Sequence, residues 1–231
     1  MNPTIALQCD LREVFAAQAN PERALGQQRY MKSALPFYGL TKPDTARAVR
    51  TVLARHPLAE REDWVDAILT IWDEAERREE LYAVLALLRH RAYRAWALDP
   101  AHLETLRRLI ITGAWWDLVD EIAAHCVGDL LAAQPAAVTP VLYDWAREEN
   151  LWVRRSAILS QLTAKADTDR NLLSYAIEHS LADPDFFARK AIGWALREHA
   201  KTDPAWVIGF VSLNADRLSP LSRREALKHF G

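Results

Sequence analysis

Long apolar runs are missing from this sequence of 231 residues, and no stretch reaches the roughly 18 consecutive apolar residues that a transmembrane helix requires. The N-terminus has neither the basic stretch nor the apolar block of a signal peptide. Glycine is scarce, with only seven residues, and no glycine-rich phosphate loop is found. From the lack of a membrane-spanning run and of a signal-peptide pattern, we expect a cytoplasmic protein that does not bind a membrane.

Cysteine is also rare, and the two cysteines, Cys9 and Cys126, lie far apart in the chain. This spacing indicates free thiols rather than a disulfide or a metal site. The seven histidines show no metal-ligand spacing, so we expect neither a metal nor a cofactor. The net charge of -2 neither indicates nor excludes a nucleic-acid partner, because what matters is where the 29 lysines and arginines gather.

The residues that are abundant, among them alanine, leucine, arginine and glutamate, favour helices. Apolar residues recur at spacings of three and four, and no sustained alternation typical of strands occurs. Capping side chains stand before a proline or an early acid at Asn20, Thr41, Asp99, Asp183 and Ser219. The pattern predicts helices over 4–18, 21–35, 43–55, 61–75, 78–94, 100–110, 114–132, 136–147, 151–165, 168–181, 185–201, 203–214 and 219–229.

The short connections between these helices predict that consecutive helices pack antiparallel. Many helices of similar length without a strand pattern are typical of an all-α solenoid, here built from degenerate HEAT-like helix pairs because no strict repeat is visible. The alternative is a globular all-α domain. No linker rich in proline, glycine or serine divides the chain, so we predict a single domain over 1–231.

The helix predicted at 185–201 carries an aromatic and basic face where solvent is expected. Its core face holds Ala188, Ile192, Ala195, Leu196 and His199. The nearly opposite face holds Phe187, Lys190, Trp194, Arg197 and Lys201, with Phe186 and Gly193 beside it. This arrangement favours a nucleic-acid surface, with cations on phosphates and the aromatic residue against a sugar or base. The alternative is that Trp194 packs on a neighbouring helix and the cations cover it.

The helix predicted at 114–132 carries a tryptophan and a carboxylate on a side away from its apolar stripe. Trp115, Leu118, Val119, Ile122 and Cys126 form an apolar stripe in the helix predicted at 114–132, as their spacing shows. Trp116 and Asp120, four residues apart, share a different side of the same helix and face a place where a ligand can approach. The alternative is a surface acid beside a packing tryptophan.

Arg155 falls in the middle of the apolar stripe of its helix, which Leu151, Ile158, Leu159 and Leu162 form. A charged group in such a place needs a partner. An internal carboxylate and a bidentate DNA phosphate are both suitable partners, and the residues alone do not decide between them.

Five segments of the sequence match a known family: Arg29–Lys32, Trp115–Asp120, Leu151–Leu159, Phe186–Glu198 and Leu218–Ala226. Together the segments resemble the AlkD family of HEAT-like-repeat DNA alkylation-repair glycosylases, which act on 3-methyladenine and 7-methylguanine. The resemblance covers nearly the full chain, and the segment around Trp194 is the most specific.

The resemblance implies a monofunctional DNA glycosylase of base excision repair that hydrolyses the N-glycosidic bond of cationic N3- or N7-alkylated purines in duplex DNA. It implies a concave DNA-binding face on which Asp120, Trp116 and Trp194 approach the damaged nucleotide's sugar, while Arg155 holds the adjacent backbone. It also implies that bases are not flipped. We expect a nucleoid-associated monomer.

The helical pattern and the family resemblance together predict seven residues at the DNA surface: Arg155, Arg197, Lys190, Tyr30, Phe187, Phe186 and Lys201. Two alternatives stay open. One is a non-catalytic member of the same family that binds branched or damaged DNA, and the other is a helical scaffold for protein interactions. An excision assay separates the first alternative, and an apolar groove without salt-sensitive DNA affinity would identify the second.

Overall fold

The structure is a computed structural model that describes residues 3–230. Every regular element in this range is a helix and no strand occurs there, which confirms the predicted all-α class. In the same range no helix is both long and apolar enough to cross a bilayer. The chain divides into two compact units, and the division falls between Ala97 and Leu98. That they form one domain over 1–231 stays a prediction.

In the first unit, helix α1 packs against α3 and α4, and α5 packs against the same two helices. The bounds are α1 (Pro3–Ala17), α2 (Pro21–Met31), α3 (Lys42–Arg55), α4 (Arg61–Asp73), α5 (Arg78–Leu88) and α6 (Arg94–Ala97), with a 3₁₀ turn at Arg91–Tyr93. The fully buried core side chains include Leu7, Phe15, Val52, Trp64 and Val84.

A buried carboxylate anchors the connection between α2 and α3. Glu79, in the first turn of α5, accepts hydrogen bonds from the backbone N–H groups of Tyr38, Gly39 and Leu40 at 2.9, 2.8 and 3.2 Å. These three amides lie in a segment without helical hydrogen bonds, so the carboxylate supplies the acceptors that the backbone there lacks.

The second unit is organised around α11, which packs against α7, α8, α10, α12 and α13. Its elements are a 3₁₀ turn at Pro100–His102, α7 (Leu103–Gly113), α8 (Trp116–Glu121), a π turn (Ile122–Val127), α9 (Gly128–Ala133), α10 (Pro135–Trp145), α11 (Leu151–Leu159), a 3₁₀ turn at Lys165–Asp167, α12 (Arg170–Glu178), α13 (Phe186–His199), α14 (Pro204–Leu213) and α15 (Pro220–Ala226).

Most predicted helices agree with these bounds to within a few residues, but the helix predicted at 78–94 ends at Leu88 and that predicted at 151–165 ends at Leu159. The predicted caps agree more closely. Asn20, Thr41, Asp99, Asp185 and Ser219 each accept a hydrogen bond from a backbone N–H in the first turn of the helix that follows. In the fourth case the cap is Asp185 rather than Asp183. The HEAT-like form of the helix pairs and the concave face stay predictions.

The helix predicted at 114–132 differs from the expectation, because a π turn interrupts it at Ile122–Val127. A π turn contains one residue more than an α turn and therefore shifts the register of all the residues after it. Cys126, predicted in the apolar stripe, is consequently half-buried, whereas Val127 is fully buried.

A close helix crossing joins α13 to α15 at Gly193. A Cβ atom added to Gly193 would lie 2.5 Å from the Cβ of Glu225 and 2.9 Å from the carbonyl oxygen of Ser222. The hydroxyl of Ser222 also donates a hydrogen bond of 2.9 Å to the carbonyl oxygen of Arg189 on α13. The missing side chain of Gly193 therefore permits the two backbones to approach.

Gly193→Ala should destabilise the protein, because the new methyl group forces α15 away from α13, at a cost of about 1–3 kcal/mol. Gly209→Ala is the matched control, since a Cβ there meets nothing within 4 Å and an alanine in a helix should stabilise by about 1 kcal/mol. Urea unfolding of both variants measures the difference. Equal unfolding free energies for the two variants would contradict the close approach of α15 to Gly193.

Candidate active site

The predicted site residues Asp120 and Arg155 form a bidentate ion pair. The Nε atom of Arg155 donates to Oδ1 of Asp120 at 2.7 Å, and a terminal nitrogen donates to Oδ2 at 2.8 Å. The Arg155 side chain is 3% exposed and the Asp120 side chain 14%. The structure thus provides the internal carboxylate, one of the two partners that the sequence allows for Arg155, and leaves the Asp120 side chain partly exposed.

Burial raises the pKa of Asp120 above its usual value, and the charge of Asp117 raises it further. The hydrogen bonds and the positive charge of Arg155 act in the opposite direction and favour the ionised carboxylate. Asp120 is therefore a carboxylate in a poorly solvated environment, where its charge acts more strongly on nearby groups than it would in water.

Arg155 also connects this carboxylate to the start of α13. Its second terminal nitrogen donates to the carbonyl oxygen of Phe187 at 2.5 Å, and its guanidinium lies 5.9 Å from the centre of the Phe187 ring. The Phe187 ring in turn packs against Trp115 and Trp152, with centroid distances of 5.3 and 5.0 Å. Phe187 is thus a half-buried packing residue whose carbonyl group holds Arg155.

Trp116 and Trp194 are both half-buried, so neither indole is enclosed in the core. Trp116 is the first residue of α8, one helical turn before Asp120. Trp194 lies on α13, which packs against α11, the helix that carries Arg155. The convergence of both indoles on the Asp120 carboxylate stays a prediction.

The cations predicted at the DNA surface of α13 have carboxylate partners within the protein. Lys190 binds Glu225 at 2.9 Å, and Arg197 binds the same carboxylate. The ion pair with Lys190, and to a smaller extent the one with Arg197, lowers the pKa of Glu225, whereas burial acts in the opposite direction. Lys201, further along the chain, binds Glu198 at 2.8 Å. Contact of these three cations with DNA stays a prediction.

Two predicted aromatic residues are exposed. Phe186 is 52% exposed and lies against Phe187, with a centroid distance of 5.4 Å. Tyr30, near the end of α2 in the first unit, is 76% exposed. Both rings are therefore open to a ligand, as an aromatic contact with DNA would require.

The sequence does not identify two charged residues that contact or adjoin the predicted ones, Glu225 and Arg154. Glu225 lies in a segment that contributes to the family resemblance, but the sequence assigns it no role, because nothing local to it indicates two cationic partners. Arg154 precedes Arg155, and its side chain also binds the segment before α13. The two consecutive arginines are the signal in the sequence that indicates a role for Arg154.

Among residues 3–230, no group of three or more histidine, cysteine, aspartate or glutamate side chains is arranged to hold a metal ion. His199 is buried, and burial lowers its pKa, so it is a neutral core residue as its place on the apolar face predicts.

Asp120→Asn should destabilise the fold by about 3–5 kcal/mol, because it leaves the guanidinium of Arg155 buried without a negative charge. The double variant Asp120→Leu with Arg155→Met should recover most of this loss, since apolar side chains of similar size tolerate burial. Urea unfolding of Asp120→Leu, Arg155→Met and the double variant gives the coupling energy of the pair, and unfolding of Asp120→Asn measures the cost of removing the charge alone.

The exposed pair of Asp144 and Arg147 provides the control, with side chains that are 71% and 56% exposed. Asp144→Asn should cost less than about 1 kcal/mol. If Asp120→Asn costs no more than this control, the buried pair does not have the importance assigned to it.

The family model described as "DNA alkylation repair enzyme" matches residues 11–230. A solved structure described as a predicted DNA alkylation repair enzyme from Enterococcus faecalis is similar in fold, with a TM-score of 0.81 and 28% sequence identity. The similarity covers 92% of this chain and 97% of that chain. No curated protein matches the chain significantly.

Proposed function

The chain belongs to the family of DNA alkylation repair enzymes, and from this membership we propose that it is a monofunctional DNA glycosylase that hydrolyses the N-glycosidic bond of N3- or N7-alkylated purines in duplex DNA. The observation that carries the proposal is the Asp120 carboxylate, which buried Arg155 holds in one orientation and which stays partly exposed. A fixed, poorly solvated anion of this kind suits a reaction that develops positive charge on a sugar.

The substrate determines which catalytic groups are needed. Alkylation at N3 or N7 places a positive charge on the purine, so the base departs as a neutral molecule without protonation by a general acid. Cleavage leaves oxocarbenium character on the deoxyribose, as in glycoside hydrolysis. The protein therefore has to stabilise a cation at the sugar and orient a water molecule that attacks it.

Asp120 supplies the negative charge. At an effective dielectric constant of about 20, two unit charges about 4 Å apart attract by roughly 4 kcal/mol. Arg155 reduces this attraction, because its guanidinium binds both carboxylate oxygens and partly neutralises their charge. Arg155 nevertheless contributes by opposing protonation of Asp120 and by fixing the plane of its carboxylate.

Trp116 and Trp194 can contribute through the negative faces of their indoles. A cation over such a face gains about 0.5–2 kcal/mol, depending on how far the site excludes water. Both indoles retain the partial exposure that this contact requires. We propose that they contact the deoxyribose while the damaged base stays stacked in the duplex, so that adducts of different size are accepted.

The role of Arg155 in DNA binding is proposed to be indirect. Three of the five guanidinium N–H donors are used by Asp120 and the carbonyl group of Phe187, and the side chain is almost wholly buried. Contact with the phosphate backbone then falls to more exposed residues, and the protein acts as a monomer on double-stranded DNA.

Excision should depend on the Asp120 charge rather than on the stability of the fold. Asp120→Asn should reduce single-turnover release of 7-methylguanine from duplex DNA by at least about a hundredfold, the scale expected for loss of a preorganised electrostatic group. The double variant Asp120→Leu with Arg155→Met, although more stable than Asp120→Asn, should be equally inactive. Base release is measured by chromatography under conditions where each variant is folded.

Asp144→Asn is the control and should excise at the rate of the unaltered protein. An active double variant would refute the assigned role of Asp120. If the unaltered protein binds alkylated DNA but releases no base, the protein is a DNA-binding member of the family without glycosylase activity.

The excision rate should fall on the acid side at a pH above the ordinary aspartate pKa of about 3.9. Burial raises the pKa of Asp120, so protonation removes the catalytic charge at a higher pH than for an exposed acid. Asp117→Asn should move this acid limb to lower pH, because the charge of Asp117 raises the pKa of Asp120. Single-turnover rates from pH 8 to about pH 4.5, corrected for uncatalysed depurination, test both shifts.

A further inference from the structure

We propose that Arg154 is a positioning residue for the Asp120 site, an inference that rests on the proposed function of Asp120. Arg154 does not touch the Asp120 carboxylate. It holds the segment that supplies the third hydrogen-bond acceptor of Arg155, and through that segment it keeps the ion pair in one geometry.

The guanidinium of Arg154 joins two connections of the second unit. One terminal nitrogen donates to the carbonyl oxygens of Glu148 and Glu149, both at 2.7 Å, in the turn between α10 and α11. The other terminal nitrogen donates to Asp183 in the connection between α12 and α13. Both side chains of this ion pair are mostly buried, with exposures of 18% for Arg154 and 11% for Asp183.

A chain of hydrogen bonds runs from Asp183 to the first turn of α13. The second carboxylate oxygen of Asp183 accepts from the backbone N–H of Asp185 at 2.9 Å. The Asp185 carboxylate then accepts from the backbone N–H of Phe187 at 2.6 Å and caps the helix. The position of the Phe187 backbone therefore depends on Asp183, which Arg154 holds.

The same Phe187 backbone provides the carbonyl oxygen that binds Arg155. Two consecutive arginines of α11 thus hold the start of α13 by different routes, Arg155 directly and Arg154 through Asp183 and Asp185. A shift of the Phe187 carbonyl would reorient the Arg155 guanidinium, and the carboxylate that it binds would follow. Displacements of about 1 Å can reduce enzymatic rates by a hundredfold.

Loss of Arg154 should also change the ionisation of Asp120. Arg155 favours the ionised carboxylate through its hydrogen bonds and its charge. If these bonds lengthen, burial dominates and the pKa of Asp120 rises further. A variant that only destabilises the whole fold would not change the titration of Asp120 in the folded protein.

The experiment compares Arg154→Gln with Arg154→Lys, and uses Arg147→Gln as the matched control. Arg147 is an exposed arginine in the same region, paired with Asp144 three residues before it. Two quantities are measured for each folded variant of the full chain: the titration of the Asp120 carboxyl carbon by NMR with ¹³C-labelled aspartate, and the single-turnover excision of 7-methylguanine. Asp120→Asn identifies the resonance.

For Arg154→Gln we expect Asp120 to titrate at higher pH and excision at pH 7 to fall by about tenfold to a hundredfold. Arg154→Lys should lie between this variant and the unaltered protein, since one ammonium group cannot reproduce the guanidinium fork. Arg147→Gln should change neither quantity. An unchanged Asp120 titration in folded Arg154→Gln would overturn the proposal.

The two proposals can fail separately. If the unaltered protein releases no base, the proposed glycosylase activity is wrong, while the Asp120 titration still decides whether Arg154 positions the pair. If Arg154→Gln does not fold, Asp183→Asn replaces it, because this variant removes the charge that Arg154 binds and retains the bonds to Glu148 and Glu149. Asp183→Asn should raise the pH at which Asp120 titrates, and no change would overturn the inference.

Discussion

The buried ion pair between Arg155 and Asp120 is the interaction on which the proposed site depends. A guanidinium that is 3% exposed cannot be stable in an apolar environment unless a charge and several acceptors surround it. Asp120 and the carbonyl group of Phe187 meet this requirement, and in doing so they tie α8 and α13 to α11. The carboxylate needed for the proposed chemistry is therefore also a structural element, so its loss affects both stability and activity.

Helix α13 serves two different purposes along its length. Its first turn supplies the carbonyl group that holds Arg155, and its middle, at Gly193, accepts the close approach of α15. Glu225 on α15 then binds Lys190 and Arg197, two cations that the helical pattern places toward solvent. The face of α13 that is basic in sequence is thus partly neutralised by α15, which lies about 30 residues further along the chain. The contribution of this face to DNA binding depends on how much of the positive charge of Lys190 and Arg197 a phosphate can still reach.

Much of the fold could be predicted because it depends on local interactions. The caps at Asn20, Thr41 and Ser219 and the apolar spacing of α13 are set by residues within one or two helical turns. The π turn at Ile122–Val127 could not be predicted in the same way, since nothing in its own sequence distinguishes it from an α-helix. The close approach of Gly128 to the carbonyl group of Ser160 shows that packing between distant segments accompanies the irregular turn.

By itself the sequence determined the all-α class, the helix positions and the residue types at the candidate site, including the need of Arg155 for a partner. The tertiary structure alone decided which partner each charge has. Asp120 lies 35 residues before Arg155, and Glu225 lies 28 residues after Arg197. Helical periodicity sets the direction of a side chain around its own helix axis, whereas the identity of the group opposite it depends on how separate helices pack, which no local pattern records.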